Sequence, residues 1–208
     1  GESLSLIGGG IANDGALRNI SGTNTWTGAI GIDGVGSIQA NGDVSPLVRI
    51  ASDAGQLSLS GPIQIAAPAA SGSASALLVQ GNGNVVISGN IIGGKDGTVS
   101  FVSSANGSGA RTLSGSNTYL GWTQVNGSLT AEGGFAIPDT SRVVSTSPTS
   151  RLVLNASETI GGLASSVTGM QINLNAHTLT IGADNTTPLA SNVGGASYLG
   201  TIIGTGGI

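Results

Sequence analysis

The sequence predicts an all-β solenoid, a chain coiled on itself in stacked turns, and three observations carry that expectation. Of 208 residues only 8% are charged and 3% aromatic, while glycines number 37. Gly, Ser, Asn and Thr interspersed with Val, Ile and Leu describe many short strands joined by tight turns. Lys, Glu and Arg are too few to build the polar faces of helices. A long segment also recurs ninety-three positions apart, and apolar residues return at a finer offset of 22. Disorder is the competing reading of a Gly/Ser-rich chain. A mean hydropathy of +0.27 opposes it, because disordered segments are polar and charged.

The recurrence runs from Arg18 and from Arg111. Ser21-Gly22 matches Ser114-Gly115, Asn24-Thr25 matches Asn117-Thr118, Trp26 matches Tyr119 and Gly28 matches Gly121. Ile32-Asp33-Gly34 then matches Val125-Asn126-Gly127, and after two extra residues, Val35 and Gly36, Ser37–Ala40 matches Ser128–Ala131. An internal repeat denotes one structural unit used again. Within it, Leu113 closes a short strand at Ser-Gly, where Asn and Gly allow the backbone to turn. Gln124-Val125 is the next strand, Asn126-Gly127 a turn and Ser128–Thr130 another strand. Strands this brief bury no face alone and need copies above and below.

Leu113-Ser-Gly-Ser-Asn-Thr-Tyr-x-Gly-x-Thr-x-Val-Asn-Gly-Ser-Leu129 resembles the autotransporter-associated β-strand repeat of bacterial surface proteins. The likeness covers about residues 110–134 closely. The copy at 17–42 departs at Ile30, where Thr123 stands, and by its two inserted residues. The resemblance implies a right-handed parallel β-helix exported across the bacterial envelope, and it supplies no catalytic residues.

Taken in order, Ser3–Ile11, Asn90–Gly94 and Gly200–Ile208 share an Ile/Gly theme. They divide the chain into two long repeats, 1–95 and 96–208, of one continuous solenoid. The last residues lack the polar, irregular look of a capping repeat, so the segment is expected to continue into further repeats or to self-associate end to end. At the offset of 22, Leu57 falls on Val79 and then Phe101, Leu77 on Val99, Ile63 on Val85, Ile65 on Ile87 and Ile91 on Leu113. Later, Leu152 and Leu154 fall on Ile172 and Leu174 at an offset of 20. Coils of that size give roughly nine turns. Inward–outward alternation marks strands at Leu57–Leu59, Ile63–Ile65, Val99–Phe101, Leu152–Leu154, Ile172–Leu174 and Leu179–Ile181. Residues 66–76 and 183–196 read as protruding loops. Asn-Gly pairs at 41, 82, 106 and 126 offer the rival architecture, an antiparallel sandwich of two-residue hairpins.

Function classes narrow by exclusion. The net charge is −4 with no cationic block, which removes nucleic acid as a partner and an anionic membrane surface with it. No apolar run reaches the ~20 residues of a spanning helix, so this segment is expected to insert in no membrane. Cysteines are absent, which suits passage through an oxidising compartment.

His177, the only histidine, lacks a nucleophile in a Gly-x-Ser-x-Gly elbow. Asp139 and Glu158, nineteen residues apart and near Arg142, are the best carboxylate pair for glycoside chemistry, although a solvated surface pair is the simpler account. Asp33, Asp43 and Asp53 are spaced by ten, half a coil, and are expected to face different sides. Gly31–Gly36 and Gly93–Gly97 lack the dense nonapeptide array of calcium-binding solenoids. The expectation is therefore a structural segment of a large exported surface protein, without catalytic, cofactor or metal residues. A glycan or a host or matrix protein is the candidate ligand, and a carbohydrate-active β-helix enzyme is the alternative.

Overall fold

The computed structural model describes residues 1–33, 36–38, 44–45, 47–67, 73–95, 99–182 and 197–208. Short strands follow one another around three faces. The first coil lays down β1 (Leu4–Leu6), β2 (Leu17–Asn19) and β3 (Thr23–Trp26). The second begins with β4 (Ile30–Ile32), makes a lateral excursion through β5 (Gly36–Ile38) and β6 (Val44–Ser45), and resumes with β7 (Val48–Ser52) and β8 (Gln56–Leu59). Next come β9 (Ile63–Ile65), a lateral β10 (Ser73–Ala74), β11 (Leu77–Gln80) and β12 (Asn84–Ile87). The fourth coil holds β13 (Ile91–Gly93), β14 (Val99–Ser103) and β15 (Arg111–Leu113), and the fifth β16 (Thr118–Tyr119), β17 (Trp122–Val125) and β18 (Ser128–Ala131). Then follow β19 (Arg142–Ser145), β20 (Arg151–Leu154), β21 (Glu158–Ile160), β22 (Gly162–Ser165), β23 (Gln171–Asn173), β24 (Leu179–Ile181) and β25 (Thr201–Ile203).

Strands on the same face of successive coils pair in parallel. Sheet I runs β1-β4-β9-β13-β16, sheet II β2-β7-β11-β14-β17-β19-β22, and sheet III β3-β8-β12-β15-β18-β20-β23-β25, with β21-β24 a separate pair on face I. The fold is a right-handed parallel β-helix, and the sandwich alternative is excluded. Asn41-Gly42 lies outside the described residues, and Asn82-Gly83, Asn106-Gly107 and Asn126-Gly127 close no hairpins. Each of these three sits between a sheet II strand and the next sheet III strand, where the chain turns a corner. Among the described residues sheet III carries eight strands, where coils of 22 residues give roughly nine turns. All three ladders cross the boundary at residue 95, β13 pairing with β16, β11 with β14 and β12 with β15.

Side chains at period two form columns inside. In sheet III, Leu57, Val85, Arg111, Leu129, Leu152, Ile172 and Ile202 lie over one another. In sheet II, Val48, Leu77, Phe101, Thr123 and Val143 do the same. In sheet I, Ile30, Ile63 and Ile91 form one column and Ile32 and Ile65 another. Nearly all these aliphatics are buried in one continuous core. A second apolar cluster, Leu78, Val102, Trp122, Val144 and Ala164, occupies the outer face of sheet II.

The columns exist, but not at the offset of 22. Val79 pairs with Ile50 and Ser103, whereas Phe101 pairs with Leu77 and Thr123. Ile65 belongs to sheet I and Ile87 to sheet III, between Leu59 and Leu113. Leu57–Val79, Ile63–Val85 and Ile91–Leu113 fail likewise, since each pair joins different faces. Leu77 meets Phe101 rather than Val99. The offset of 20 does place Leu152 over Ile172. A single period fails because the coils are unequal. Thr23 pairs with Gln56, yet Arg111 pairs with Leu129.

Most of that inequality sits at one corner. The sheet III-to-I corner is three residues between β3 and β4, β8 and β9, β12 and β13, and β20 and β21, four between β15 and β16 and five between β23 and β24. The corner from sheet I to sheet II ranges from Gly161 alone to the long stretch from Asp33 to Leu47. Here the lateral strands β5, β6 and β10 make a small antiparallel sheet. The expected loop 66–76 thus holds a strand, because Ser73–Ala74 finds a partner in β5. Residues 68–72 and the expected loop 183–196 lie outside the described residues.

The sheet III-to-I corner is kept short by close approach. Gly28, Gly61, Gly89 and Gly115 stand over one another there. A methyl group on Gly89 would fall within the radius of the Gly61 carbonyl oxygen, and one on Gly61 would strike that of Gly28. Gly89→Ala is therefore expected to cost about 2 kcal/mol, whereas Ser88→Ala, exposed next to it, stays within about 0.5 kcal/mol. Urea denaturation of both variants checks this.

The two copies of the long repeat are rotated by one face. Thr25-Trp26 lie in sheet III, but Thr118-Tyr119 lie in sheet I. Gly28 turns the III-to-I corner, whereas its match Gly121 turns from I to II. The environments differ accordingly. Arg18 is exposed, with Asp14 and Asp53 at 3.0 and 2.7 Å. Arg111 is 1% exposed inside the sheet III column, and its guanidinium donates to the carbonyls of Gly109, Gly81 and Asn106. The motif encodes strand, corner, strand, and all three faces accept that unit.

Candidate functional site

Sheet I is interrupted once among the described residues. After β18 the chain enters Glu132–Ser141, where Gly133 and Gly134 take positive φ of 82° and 81°. Ala136 and Ile137 reach the core with no exposed surface, yet this segment forms no strand. Face I therefore passes from β16 to β21 without a ladder. Ala136 fills too little space and Pro138 supplies no N–H, so a strand at this point is disfavoured.

Two side chains replace the missing ladder. Asn117, 5% exposed, accepts the Ile91 N–H at 2.7 Å and donates to the Ala136 carbonyl at 2.6 Å. Its own N–H reaches Phe135 O at 3.0 Å. On the other side Glu158, 2% exposed, accepts the Ile137 N–H at 2.9 Å through Oε1. Its Oε2 is buried without a partner. Burial pushes the Glu158 carboxyl up to about 7, the amides of Ile137 and Ala136 pull it down, and the charge of Asp139 raises it further.

Beside this carboxyl runs a directed chain of hydroxyls. Ser141 donates to Gly121 O at 2.9 Å, so Thr123 donates to Ser141 at 2.9 Å and Tyr119 to Thr123 at 2.5 Å. Burial holds the Tyr119 phenol well above its usual range. Outside the chain lies a groove of about 390 Å³ lined by Thr118, Leu120, Phe135, Pro138, Asp139 and Thr140 among others. Phe135 and Leu120 are 63% and 55% exposed there.

Asp139 and Glu158 are thus neighbours, as their spacing predicts. They are not a solvated surface pair, because Glu158 is inside and holds backbone. Arg142 opens β19, directly after the irregular segment. His177 stands apart at the corner before β24, its N–H bonded to Leu174 O. Among the described residues no three His, Cys, Asp or Glu side chains cluster as metal ligands. Asp53 pairs with Arg18, and Asp43 lies outside the described residues, as do parts of both glycine-rich candidates for calcium. Asn19, in an Asn-x-Ser triplet, is buried and spends its amide on Gly22, Ser52 and Ala54.

Of the repeat-motif residues, Asn117 and Tyr119 come to this site, with Thr118 on the groove wall. Ser114, Gly115 and Gly121 form the corners on either side of β16, and Val125, Asn126 and Gly127 continue into β17 and the next corner. Ser21, Gly22, Asn24, Thr25, Trp26 and Gly28 gather at the other end of sheet III. There Asn24 bonds Asn19 at 2.6 Å and Ser21 O at 2.9 Å. The bridging role of Asn117 escapes sequence reading. Its trace is an Asn standing where Ile30, Ile63 and Ile91 set an apolar column. Removing it strands the Ile91 N–H and the Ala136 carbonyl, so Asn117→Ala is expected to cost about 2 kcal/mol, measurable by thermal or urea unfolding.

No family model matches the chain, and no curated protein or solved structure is significantly similar to it.

Proposed function

We propose that this chain is a structural β-solenoid segment of a large exported bacterial surface protein, serving as a stalk, an adhesin passenger or an extracellular filament unit. The observation that carries the reading is the stack itself. Aliphatic columns run through three parallel ladders, and outside the apolar cluster on sheet II many outward positions hold Ser, Thr, Asn or Gln with few charges. Such a stack resists bending through its hydrogen-bond ladders and gains length by adding coils. Asparagines reinforce it at the corners: Asn82, Asn84 and Asn90 accept the N–H groups of Ser108, Ala110 and Ser116 one coil on. Bacterial origin and extracellular location rest on the likeness of residues 113–129 to the surface-protein repeat. Partners on this reading are further repeats or identical coils at the ends, and a glycan or matrix protein along the side. No helix among the described residues is long and apolar enough to cross a membrane.

Electron microscopy and fibre diffraction of the native material test the proposal. Rods or fibres with an axial repeat of about 4.8 Å support it. Compact particles that degrade a polysaccharide overturn it in favour of a second reading, a carbohydrate-active enzyme. That reading is favoured by one observation, the juxtaposition of Asp139 with a Glu158 carboxyl whose proton is exchangeable near neutrality.

A further inference from the structure

We propose that residues 132–141 are a proton-controlled strap: they seal the gap in sheet I while Glu158 carries a proton, and detach as it ionises. The geometry sets this up. Elsewhere among the described residues the strands of face I pair in ladders. Across the gap from β16 to β21 the middle of this segment is held by one backbone bond, from Asn117 N–H to Phe135 O, and by the side chains of Asn117 and Glu158. Asn117 is neutral and holds it from the preceding coil at any pH. Glu158 holds it from the following coil, taking the amide of Ile137 at 2.9 Å through Oε1 with the amide of Ala136 also close to the carboxyl. The other oxygen, Oε2, is buried and meets no donor.

A carboxylic acid leaves that oxygen neutral, whereas a carboxylate leaves a charge there in apolar surroundings. The neighbouring hydroxyl cannot relieve it, because Tyr119 on β16 gives its proton to Thr123. Asp139, on the strap itself, adds a repelling negative charge. Of the remaining ionisable groups nearby in the chain, Glu132 begins the strap and accepts the Asn155 amide at 3.2 Å, Arg142 opens β19 and His177 precedes β24. β21 and β24 themselves bring Thr159, Ile160, Leu179, Thr180 and Ile181, none of them titratable. Burial and Asp139 outweigh the amides, and the carboxyl titrates at about 7 in place.

Opening returns Glu158 to water and to its ordinary carboxylate range, the proton leaving to solvent. Opening is therefore favoured as pH rises from the ordinary range to about 7 and gains nothing further above it. From pH 5.5 to pH 7.5 the opening constant rises about twentyfold. Phe135, Ile137, Pro138 and Asp139 all belong to the strap and to one wall of the groove. The groove is consequently a feature of the protonated form, and it disperses as the strap leaves.

Hydrogen exchange of the whole chain, followed by mass spectrometry of peptides spanning 132–141 and corrected for the intrinsic pH dependence of exchange, tests this. Protection in that segment is expected to fall about twentyfold between pH 5.5 and 7.5, while peptides from β20 stay unchanged. Glu158→Gln keeps an acceptor for Ile137 and should flatten the profile. Asp139→Asn, exposed on the strap, should leave the slope and move its midpoint to lower pH. A flat wild-type profile overturns the proposal, and so does a slope that survives in Glu158→Gln or a midpoint that ignores Asp139→Asn.

Discussion

Replacing Phe101 by alanine is expected to cost about 4 kcal/mol, the largest effect of any single truncation considered. The ring has no exposed surface, and lies in register with Leu77 on one coil and Thr123 on the next. It also stacks against Tyr119 with ring centroids 6.4 Å apart at 26°, an arrangement that adds to area burial. Truncation leaves a cavity bounded by paired strands on both sides, which cannot collapse without breaking ladder bonds. Thr112, on the outer side of sheet III between Val86 and Thr130, is the control. Thr112→Ala should stay within about 0.5 kcal/mol. Urea unfolding of both variants checks the assignment of inside and outside, and similar costs would count against it.

Glu158→Gln is expected to stabilise the protein in mild alkali and to change little in acid. The sign follows from the direction of the shift. The folded carboxyl sits at about 7, above its ordinary 4.5, so the folded state prefers the proton. Below pH 4.5 both states are protonated and no penalty exists. The penalty grows as pH rises through the interval and is complete above about 7. With allowance for screening by solvent near the groove it amounts to about 2 kcal/mol. Wild-type stability should therefore fall between pH 5 and pH 8 while the glutamine variant stays level over the same range. Parallel urea titrations at the two pH values measure the difference. Equal slopes in both proteins would place the titrating group elsewhere.

The architecture was readable before the structure because it depends on local pattern. Leu57-Ser-Leu59, Ile63-Gln-Ile65 and Leu152-Val-Leu154 alternate as a strand with one face inside must, and their burial follows the alternation. Ile181 departs from it, being 37% exposed near the end of its ladder. Register was not readable from a period. The chain spends extra residues at the I-to-II corner, and a register counted across those residues slips to another face. The rotated repeat has the same origin. Arg18 and Arg111 match in sequence, but one is in water beside two aspartates and the other among turn carbonyls. At the candidate site the spacing of Asp139 and Glu158 brought them together correctly, because the intervening coil is short. That Glu158 points inward could not be read, since it depends on Ala136 and Pro138 failing to form a strand.

The uneven corners divide the labour of the molecule. Where Gly28, Gly61, Gly89 and Gly115 touch backbone to backbone, the edge has no slack and works as a keel. The opposite edge, from sheet I to sheet II, has already absorbed inserts of very different size without disturbing the coils on either side. Foreign peptides grafted at Gly161, between β21 and β22, would hang from a rigid mast at a fixed height.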